Sequence, residues 1–515
     1  MPEETSRADE PTGDRTPGDL TTGDITPGER PRVPADDLAD VLAKGGVTVR
    51  DAVAGDEIAG VLPRWVASPV ATDEVAALLR VCTEYDLAVV PVGGATKVRW
   101  GNPPKRCDVR LELRGLNEIL EHAAGDLVVR TQAGVTMAEL ARALAVHDQE
   151  LALDVPFDGA TVGGTLAAAT AGPRSLRFGT ARDLLIGITV VLADGTVAKS
   201  GGRVVKNVAG YDLGKLFTGS YGTLGVITEA IFRLHPVAPD RRWVSATFPV
   251  SASVTGDAHR HLMPNQALVV LAASQAEPCA VGVDWPAVDG PFTVSALVEG
   301  SAAAQRAESV RDLLDGQLGH HAERVASMRE SRIIPDQGRI SDQGLIPDQG
   351  LIPDQGGAAV AGSELGGARG AVVEKVAPPG WGRMPGERTL IEVRAPVGCG
   401  HLVMAEVAGA ARESGLAAAS RMWLGDHLVV MIGLPDDADS VKVATFVERL
   451  RNGLSGRPEN GRSSGCRVRV VVAPEDVARR VDLWGPTGAL ALMRQVKERF
   501  DPGRRMSPGR FVGGI

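Results

Sequence analysis

Apolar residues along this chain recur with two periods, and the period changes with position. After Thr72, the residues Val75, Leu78, Leu79 and Cys82 fall on one face of a 3.6-residue repeat. Thr72 is placed to cap that helix, with Asp73 and Glu74 near its positive end. The run "LAVVPV" that follows predicts a short buried strand ending at Pro91. Further strands are expected in "DVRLEL" and "DLVVRTQAG", and a helix from Thr136 to about His147. In "DLLIGITVVLADGTVAKSGG" two strand-like runs meet at Asp194-Gly195, a strong hairpin signal. Everything to about Pro236 reads as one α+β unit.

From about Pro239 the pattern lengthens into strand-then-helix units. "GPFTVSALVEG" precedes a helical stretch from Ala302 to Leu314, and "TLIEVRAPVG" precedes one from His401 to Ser414. "DHLVVMIGLP" leads to a helix from about Ser440 to Arg451, and "CRVRVVVAP" closes the set. This predicts a second α+β domain, a sheet backed by helices. Two segments lack such patterning. Residues 1–35 repeat "TPGD"-like units, acidic and rich in Pro and Gly, and read as a disordered tail. "IIPDQGRISDQGLIPDQGLIPDQG" is a tandem expansion read as an inserted loop. The expected division is therefore a tail at 1–35, a first domain at 36–238, a second at 239–475 interrupted by a low-complexity insertion at 331–385, and a segment at 476–515 that returns to the first domain.

Composition narrows the class. Hydrophobic residues make up 44% and aromatics only 4%, so the apolar content is mostly aliphatic and suits α/β layers. A net charge of −9 argues against a nucleic-acid partner. Cys82, Cys107, Cys279, Cys399 and Cys466 lie too far apart for the Cys-x-x-Cys spacing of a cluster or structural zinc, and read as buried free thiols. The polar, acidic start and the lack of a long apolar run predict a cytoplasmic protein with no membrane span of its own.

Three glycine-dense blocks are the candidate chemistry. "PVGGATKVRWG" follows a strand, so Gly93 and Gly94 sit where backbone N–H groups can converge on an anion, with the Thr96 hydroxyl beside them. "PFDGATVGGTLAAATAGPRSLRFG" adds Thr161, Gly163 and Gly164 to a run of alanines that would let a long, flat ligand lie along the backbone. "GGRVVKNVAGYDLGKLFTGSYGTLG" passes from glycine turns into an apolar strand. Such bare backbone serves close approach, either of another chain segment or of a polyanionic ligand. No Gly-x-Gly-x-x-Gly opens a βαβ unit, which disfavours a Rossmann dinucleotide site.

These blocks, in this order, resemble the two-part FAD-binding domain of the vanillyl-alcohol oxidase and p-cresol methylhydroxylase family, from about Trp65 to Pro236. The ending "KERFDPGRRMSPGR" is similar to that family's closing "FDP...NPGR", with Met506-Ser507 where an aliphatic-Asn pair is usual. Within the family, "KNVAGYDLGKLFTGSYGTLGVI" most resembles the FAD-binding subunits of bacterial glycolate oxidases. The resemblance implies that Val92, Gly93, Gly94, Ala95, Thr96 and Lys97 wrap the FAD diphosphate, with Ala95 standing where a third glycine is commoner. It implies Pro156, Thr161, Gly163, Gly164, Ala168, Thr170 and Gly172 along the flavin and ribityl chain. Gly222, Leu224, Gly225, Val226 and Ile227 are implied beside the ring or adenine. Neither of the first two blocks holds a histidine, so the FAD is expected to be non-covalent.

Catalytic assignments are thinner. Lys206 and Tyr211 are the candidates, Lys206 to stabilise negative charge on a reduced ring and Tyr211 to face substrate, with Asn207 and Asp212 read as turn caps. Relatives that oxidise 2-hydroxy acids resemble one another in a late Glu-His-Gly motif and in metal-holding histidines of the second domain. Here the sole Glu-His pair, Glu121-His122, is followed by alanine, and His259/His261 and His320/His321 read as surface residues. No metal site is expected. The implied role is an FAD-binding oxidoreductase subunit for a 2-hydroxy acid such as glycolate, beside a catalytic flavoprotein subunit and an iron–sulfur subunit, and near a membrane only through those partners. A stand-alone alcohol oxidoreductase and a non-catalytic assembly subunit are the alternatives.

Overall fold

The computed structural model describes residues 35–43, 45–202, 212–249, 265–333, 370–455 and 465–515. Strands β1 (Thr48–Asp51), β2 (Trp65–Ser68), β3 (Val89–Val92) and β4 (Val109–Glu112) form a sheet of order β1-β2-β4-β3, in which β2 and β3 run parallel to β4. Pro91 is tolerated in β3 because that strand lies at the end of the sheet, where a missing N–H breaks no ladder. The helix Thr72–Glu84 joins β2 to β3 and buries Val75, Leu78, Leu79 and Cys82. Its cap differs from expectation. Ala71 is the capping position and donates no side chain, while the Glu74 carboxylate accepts the Val70 N–H at 2.8 Å.

The next unit comprises β5 (Ile119–Ala123), β6 (Val128–Gln132), β7 (Gln149–Glu150), β8 (Leu185–Val191), β9 (Val197–Gly201), β10 (Val226–Arg233) and β11 (His235–Pro236). Five of these make an antiparallel sheet, β5-β6-β10-β8-β9, and β7 pairs with β11. Gly195 turns the β8–β9 hairpin with φ +82°. The helix Met137–Ala145 carries a full capping box, with Thr136 Oγ1 accepting from Glu139 N and the Glu139 carboxylate accepting from Thr136 N, both at 3.1 Å.

The second domain is one antiparallel sheet built from β12 (Arg241–Phe248), β13 (Ala280–Trp285), β14 (Phe292–Glu299), β15 (Val372–Glu374), β16 (Thr389–Ala395), β17 (Ala419–Leu424), β18 (Leu428–Leu434) and β19 (Arg467–Val472). Its order is β15-β12-β14-β13-β17-β18-β16-β19. Alternation along each strand sorts two faces. Val281, Val283, Ile391, Val393, Val430, Ile432, Val468 and Val470 pack in one core with Val403, Val407, Phe446 and Leu450 of the helices Gly400–Ser414 and Ser440–Ser455. The other face, with Glu392, Arg394, Trp423, Met431 and Arg469, turns toward the first domain. An ion network fastens the two domains: Glu150 and Arg174 of the first meet Arg241 and Glu299 of the second, with Arg174 to Glu150 at 2.8 Å and Arg241 to Glu299 at 2.8 Å.

The last segment lies against the first domain. Met506 bridges Val89 beside β3, and Ser507 N donates to the Val89 carbonyl at 2.8 Å. Lys497 is buried there, donating to Asp501 and to the Thr223 and Met506 carbonyls at 2.7 to 2.8 Å.

Four expectations change. β15 lies inside the stretch read as a low-complexity insertion, because Val372–Glu374 pair with β12. The helix expected over 302–314 runs from Ala303 to Ile333. His321 is buried rather than at the surface, against Phe248 and Phe292 with Nε2 at 2.7 Å from the Pro249 carbonyl. Cys399 and Cys466 are only half-buried, whereas Cys82, Cys107 and Cys279 are buried. The tail at 1–34, most of the repeats, His259 and His261 lie outside the described residues.

Candidate functional site

The three glycine blocks converge on one cleft in the first domain, an open space of about 830 Å³. Val92 to Lys97 line it from the end of β3; Thr161, Gly163, Gly164 and Ala168 line it from the helix Val162–Ala168; Gly222, Gly225 and Ile227 close it from the start of β10. Absent Cβ atoms make this convergence possible. A Cβ on Gly93 would sit 2.1 Å from Thr161 Oγ1, and one on Gly94 would sit 1.8 Å from the Gly159 carbonyl oxygen. One on Gly225, where φ is +154°, would meet the Val191 carbonyl at 2.6 Å. The glycines therefore serve close approach of chain to chain, and the surface they leave is bare backbone.

Charge in the cleft is cationic. Lys97 Nζ reaches the Thr96 hydroxyl at 3.1 Å and lies over the Phe157 ring at 5.2 Å, with no ion pair to a described residue. Burial pulls its pKa down to about 8. Arg510 is 4% exposed and donates Nη2 to the Val98 and Trp100 carbonyls at 2.8 and 2.7 Å, again with no carboxylate partner among the described residues. Burial brings it down to about 10. Ser507 Oγ, fully buried beside Gly222, has no hydrogen-bond partner. A half-buried lysine, a buried arginine, an orphaned hydroxyl and exposed backbone fit an elongated polyanion with a diphosphate.

Two departures noted in the sequence gain a physical meaning. Ala95 has φ +56° and Ser507 has φ +44°, so both adopt the left-handed conformation. That region suits the Gly and Asn that the resemblance leads one to expect there.

Other sequence-predicted residues lie elsewhere. Leu224 and Val226 are buried in cores rather than in the cleft, whose lining takes the intervening positions Gly225 and Ile227. Pro156 is buried outside the lining, and Gly172 packs on Asp154, where a Cβ would come within 2.6 Å. Thr170 lines a second space together with Glu392 and Arg469. Lys206, Asn207 and Tyr211 fall outside the described residues. Asp212 caps the helix Leu213–Phe217, accepting from Lys215 N at 3.1 Å. Sequence reasoning missed Arg510 and Tyr221. The "PGR" ending was a signal for the first, while only an aromatic side chain inside a glycine block marked the second.

Tyr221 links the cleft to a chamber of about 1430 Å³ between the domains. Its hydroxyl accepts from Arg469 Nη1 at 3.3 Å. Arg469 also makes a two-pronged pair with Glu392, at 2.9 and 2.8 Å, and Arg394 Nε adds a contact to Glu392 at 2.8 Å. Burial alone would raise the Glu392 carboxyl; Arg469 and Arg394 outweigh it and hold it at about 2. Glu392 therefore stays ionised and is a poor base. Arg182 and Lys215 enter from the first domain, and the pair leaves Arg394 as surplus positive charge on the sheet face. Among the described residues no group of three or more His, Cys, Asp or Glu is placed to hold a metal ion. None of the described helices is long and apolar enough to cross a membrane.

Two small sheets bracketing a glycine-lined cleft make an α+β protein with a helix-backed second domain as its cap. Solved structures agree at the level of the fold. p-Cresol methylhydroxylase with substrate bound matches with a TM-score of 0.57 at 15% identity, covering 87% of this chain and 88% of that one. Alkyldihydroxyacetonephosphate synthase matches with a TM-score of 0.56 at 16% identity, covering 87% and 78%. Residues 63–201 match the family model described as an FAD binding domain, and FAD is the cofactor of this domain. The chain is 36% identical over 192 residues to the glycolate oxidase subunit GlcD of Bacillus subtilis, covering 36% of this chain and 40% of that protein. It is 35% identical over 176 residues to a mitochondrial D-lactate dehydrogenase (cytochrome) of Saccharomyces cerevisiae, covering 34% and 30%. These matches span less than half the length of either curated relative.

Proposed function

We propose that this chain is an FAD-binding oxidoreductase subunit acting on a 2-hydroxy acid of the glycolate or lactate type, beside a catalytic flavoprotein subunit and an iron–sulfur subunit. The observation that carries the reading is the join between the cationic, glycine-lined cleft and the arginine-bearing chamber through Tyr221. Bound FAD supplies a two-electron acceptor. The chain's own residues do the holding: Lys97 and the bare backbone of Gly93 and Gly94 meet the diphosphate, Arg510 places a cation at the cleft wall, and Arg394 offers a carboxylate its charge. Names of relatives support the substrate class, glycolate oxidase and D-lactate dehydrogenase among them.

The state of Glu392 supports dependence on partners. Abstraction of a hydroxyl proton needs a base near neutral pKa, and Glu392, held at about 2, is far too weak. The purified chain is therefore expected to be yellow, to release its flavin on acid precipitation, and to stay oxidised when mixed anaerobically with glycolate or D-lactate. Turnover is expected on adding the two partner subunits. Rapid bleaching by glycolate in the isolated chain would overturn the dependent-subunit reading.

Lys97 gives FAD affinity a pH dependence. With its pKa at about 8 in the free cleft, the ammonium is present at neutral pH and lost above it. An anion beside it raises that pKa, so binding above pH 8 takes up a proton. Affinity for FAD is expected to hold from pH 6 to 8 and then to fall by up to about tenfold per pH unit. Titration of apo-protein with FAD at pH 7, 8 and 9 measures this. Lys97→Met should weaken binding at pH 7 and flatten the profile; a slope retained in that variant would assign the effect to another group.

A further inference from the structure

A second compartment of about 740 Å³ opens on the same face of the cap sheet, beside the chamber. Trp423 is the wall common to both spaces, and the first domain contributes Pro173 to the compartment and Ser175 to the chamber. A strap, Pro378 to Met384, crosses the compartment. Three contacts hold the strap. Arg421 Nη1 donates to the Met384 carbonyl at 3.1 Å, Gly380 passes over the guanidinium so closely that a Cβ would lie 2.2 Å from Nη2, and Arg383 reaches Asp158 of the first domain at 3.6 Å. Gly380 has φ +76°, so both its space and its conformation suit glycine.

Inside the compartment the charges cancel. Arg421 Nε meets Asp284 at 2.7 Å, and its Nη1 is committed to the strap carbonyl. What remains is an apolar surface in which Trp381 approaches bare Gly282, where a Cβ would lie 3.5 Å from the ring. The chamber is the reverse: Arg182, Lys215, Arg394 and Arg469 line it against Asp183, Glu392 and Asp426, and Arg394 and Arg469 share the single charge of Glu392. One molecule spanning both would be anionic at one end and apolar at the other. Glycolate has only hydrogen beyond its hydroxyl-bearing carbon and could not reach past Trp423.

We propose that chamber and compartment form one bipartite site for a 2-hydroxy acid with a bulky apolar side chain, branched or aromatic. The carboxylate faces Arg394, and the side chain passes Trp423 to lie beneath Trp381. This rests on the reading that the chamber takes a 2-hydroxy acid, and it changes the size of that acid. Burying a side chain of this kind is expected to tighten binding by about tenfold or more relative to glycolate.

The test is binding to the FAD-loaded full chain, followed by perturbation of flavin absorbance, with glycolate, D-lactate, D-2-hydroxyisocaproate and D-mandelate as the ligands. The two larger acids are expected to bind at least tenfold tighter than glycolate. Ser295, on β14, lines the compartment with its hydroxyl 2.8 Å from that of Ser245. Ser295→Phe should fill the space and remove the preference, while Ser295→Ala, which loses the same hydroxyl contact without filling anything, should keep it. Equal or tighter binding of glycolate would overturn the bipartite site and leave the 2-hydroxy acid reading standing. A preference that survives Ser295→Phe in a flavin-loaded variant would also overturn it. If none of the four acids perturbs the flavin, both readings fall together.

Discussion

Gly94→Ala is expected to strip this protein of most of its FAD. The added Cβ would lie 1.8 Å from the Gly159 carbonyl oxygen and 3.0 Å from its carbon, both fixed backbone atoms that cannot rotate away. Relief requires the first and second glycine blocks to separate by more than an ångström, which opens the cleft where they meet. Overpacking of this kind costs roughly 1–3 kcal/mol, and each 1.4 kcal/mol is about tenfold in affinity, so FAD should bind on the order of 10- to 100-fold more weakly. Ala95→Gly, one residue on, is the informative control. Ala95 pays a conformational cost at φ +56°, and glycine would remove about 1 kcal/mol of it. That variant should keep its flavin and melt no lower than the parent. Flavin content after purification and FAD titration of apo-protein measure both; wild-type flavin retention in Gly94→Ala would refute the contact argument.

The second large effect is expected at the cap sheet. Arg469→Met leaves Glu392 with Arg394 alone, in a site where the Glu392 side chain is 9% and that of Arg469 21% exposed. Removing one partner of a buried pair typically costs about 3–5 kcal/mol, and the partial exposure of Arg469 reduces this to roughly 2–3 kcal/mol. A fall in melting temperature of about 5–10 °C follows for a domain of this size. Glu392→Gln should cost less, because a neutral amide still accepts from the guanidinium. The pH dependence has a definite sign. Glu392 is held at about 2 in the folded protein, below its unfolded value, so the pair contributes its stability above about pH 4.5 and loses it as pH falls toward 2. Acid unfolding of Glu392→Gln should therefore be shallower than that of the parent in that window.

Much of the architecture was legible because local chemistry and tertiary demand agree. The helix at Thr72–Glu84, the hairpin at Gly195, and the cap elements Thr389–Ala395, Gly400–Ser414 and Leu428–Leu434 all sit where periodicity and turn residues put them. The glycine blocks were legible as surfaces of close approach. Their partners were not, since nothing in "PVGGATK" says that Gly94 will rest on Gly159. Leu224 and Val226 were assigned to the ligand by their place in a motif, yet both pack into cores while Gly225 and Ile227 between and after them line the cleft. Arg510 and Tyr221 stayed hidden for a different reason. Each acts through contacts to segments remote in sequence, Arg510 with Val98 and Tyr221 with Arg469, and pattern reading within a window cannot reach them.

The return of the C-terminal segment to β3 has a consequence for biosynthesis. Arg510 and Val98 meet across 412 residues of chain, and the whole cap is translated between them. At about 5–20 residues per second, the glycine loop after β3 leaves the ribosome roughly 20–80 s before the arginine that completes its wall. Throughout that interval the cleft has its floor and lacks its far side. Completion of the cleft is thereby deferred until the cap has been made, and until then the flank of β3 that Ser507 later meets stays unpaired.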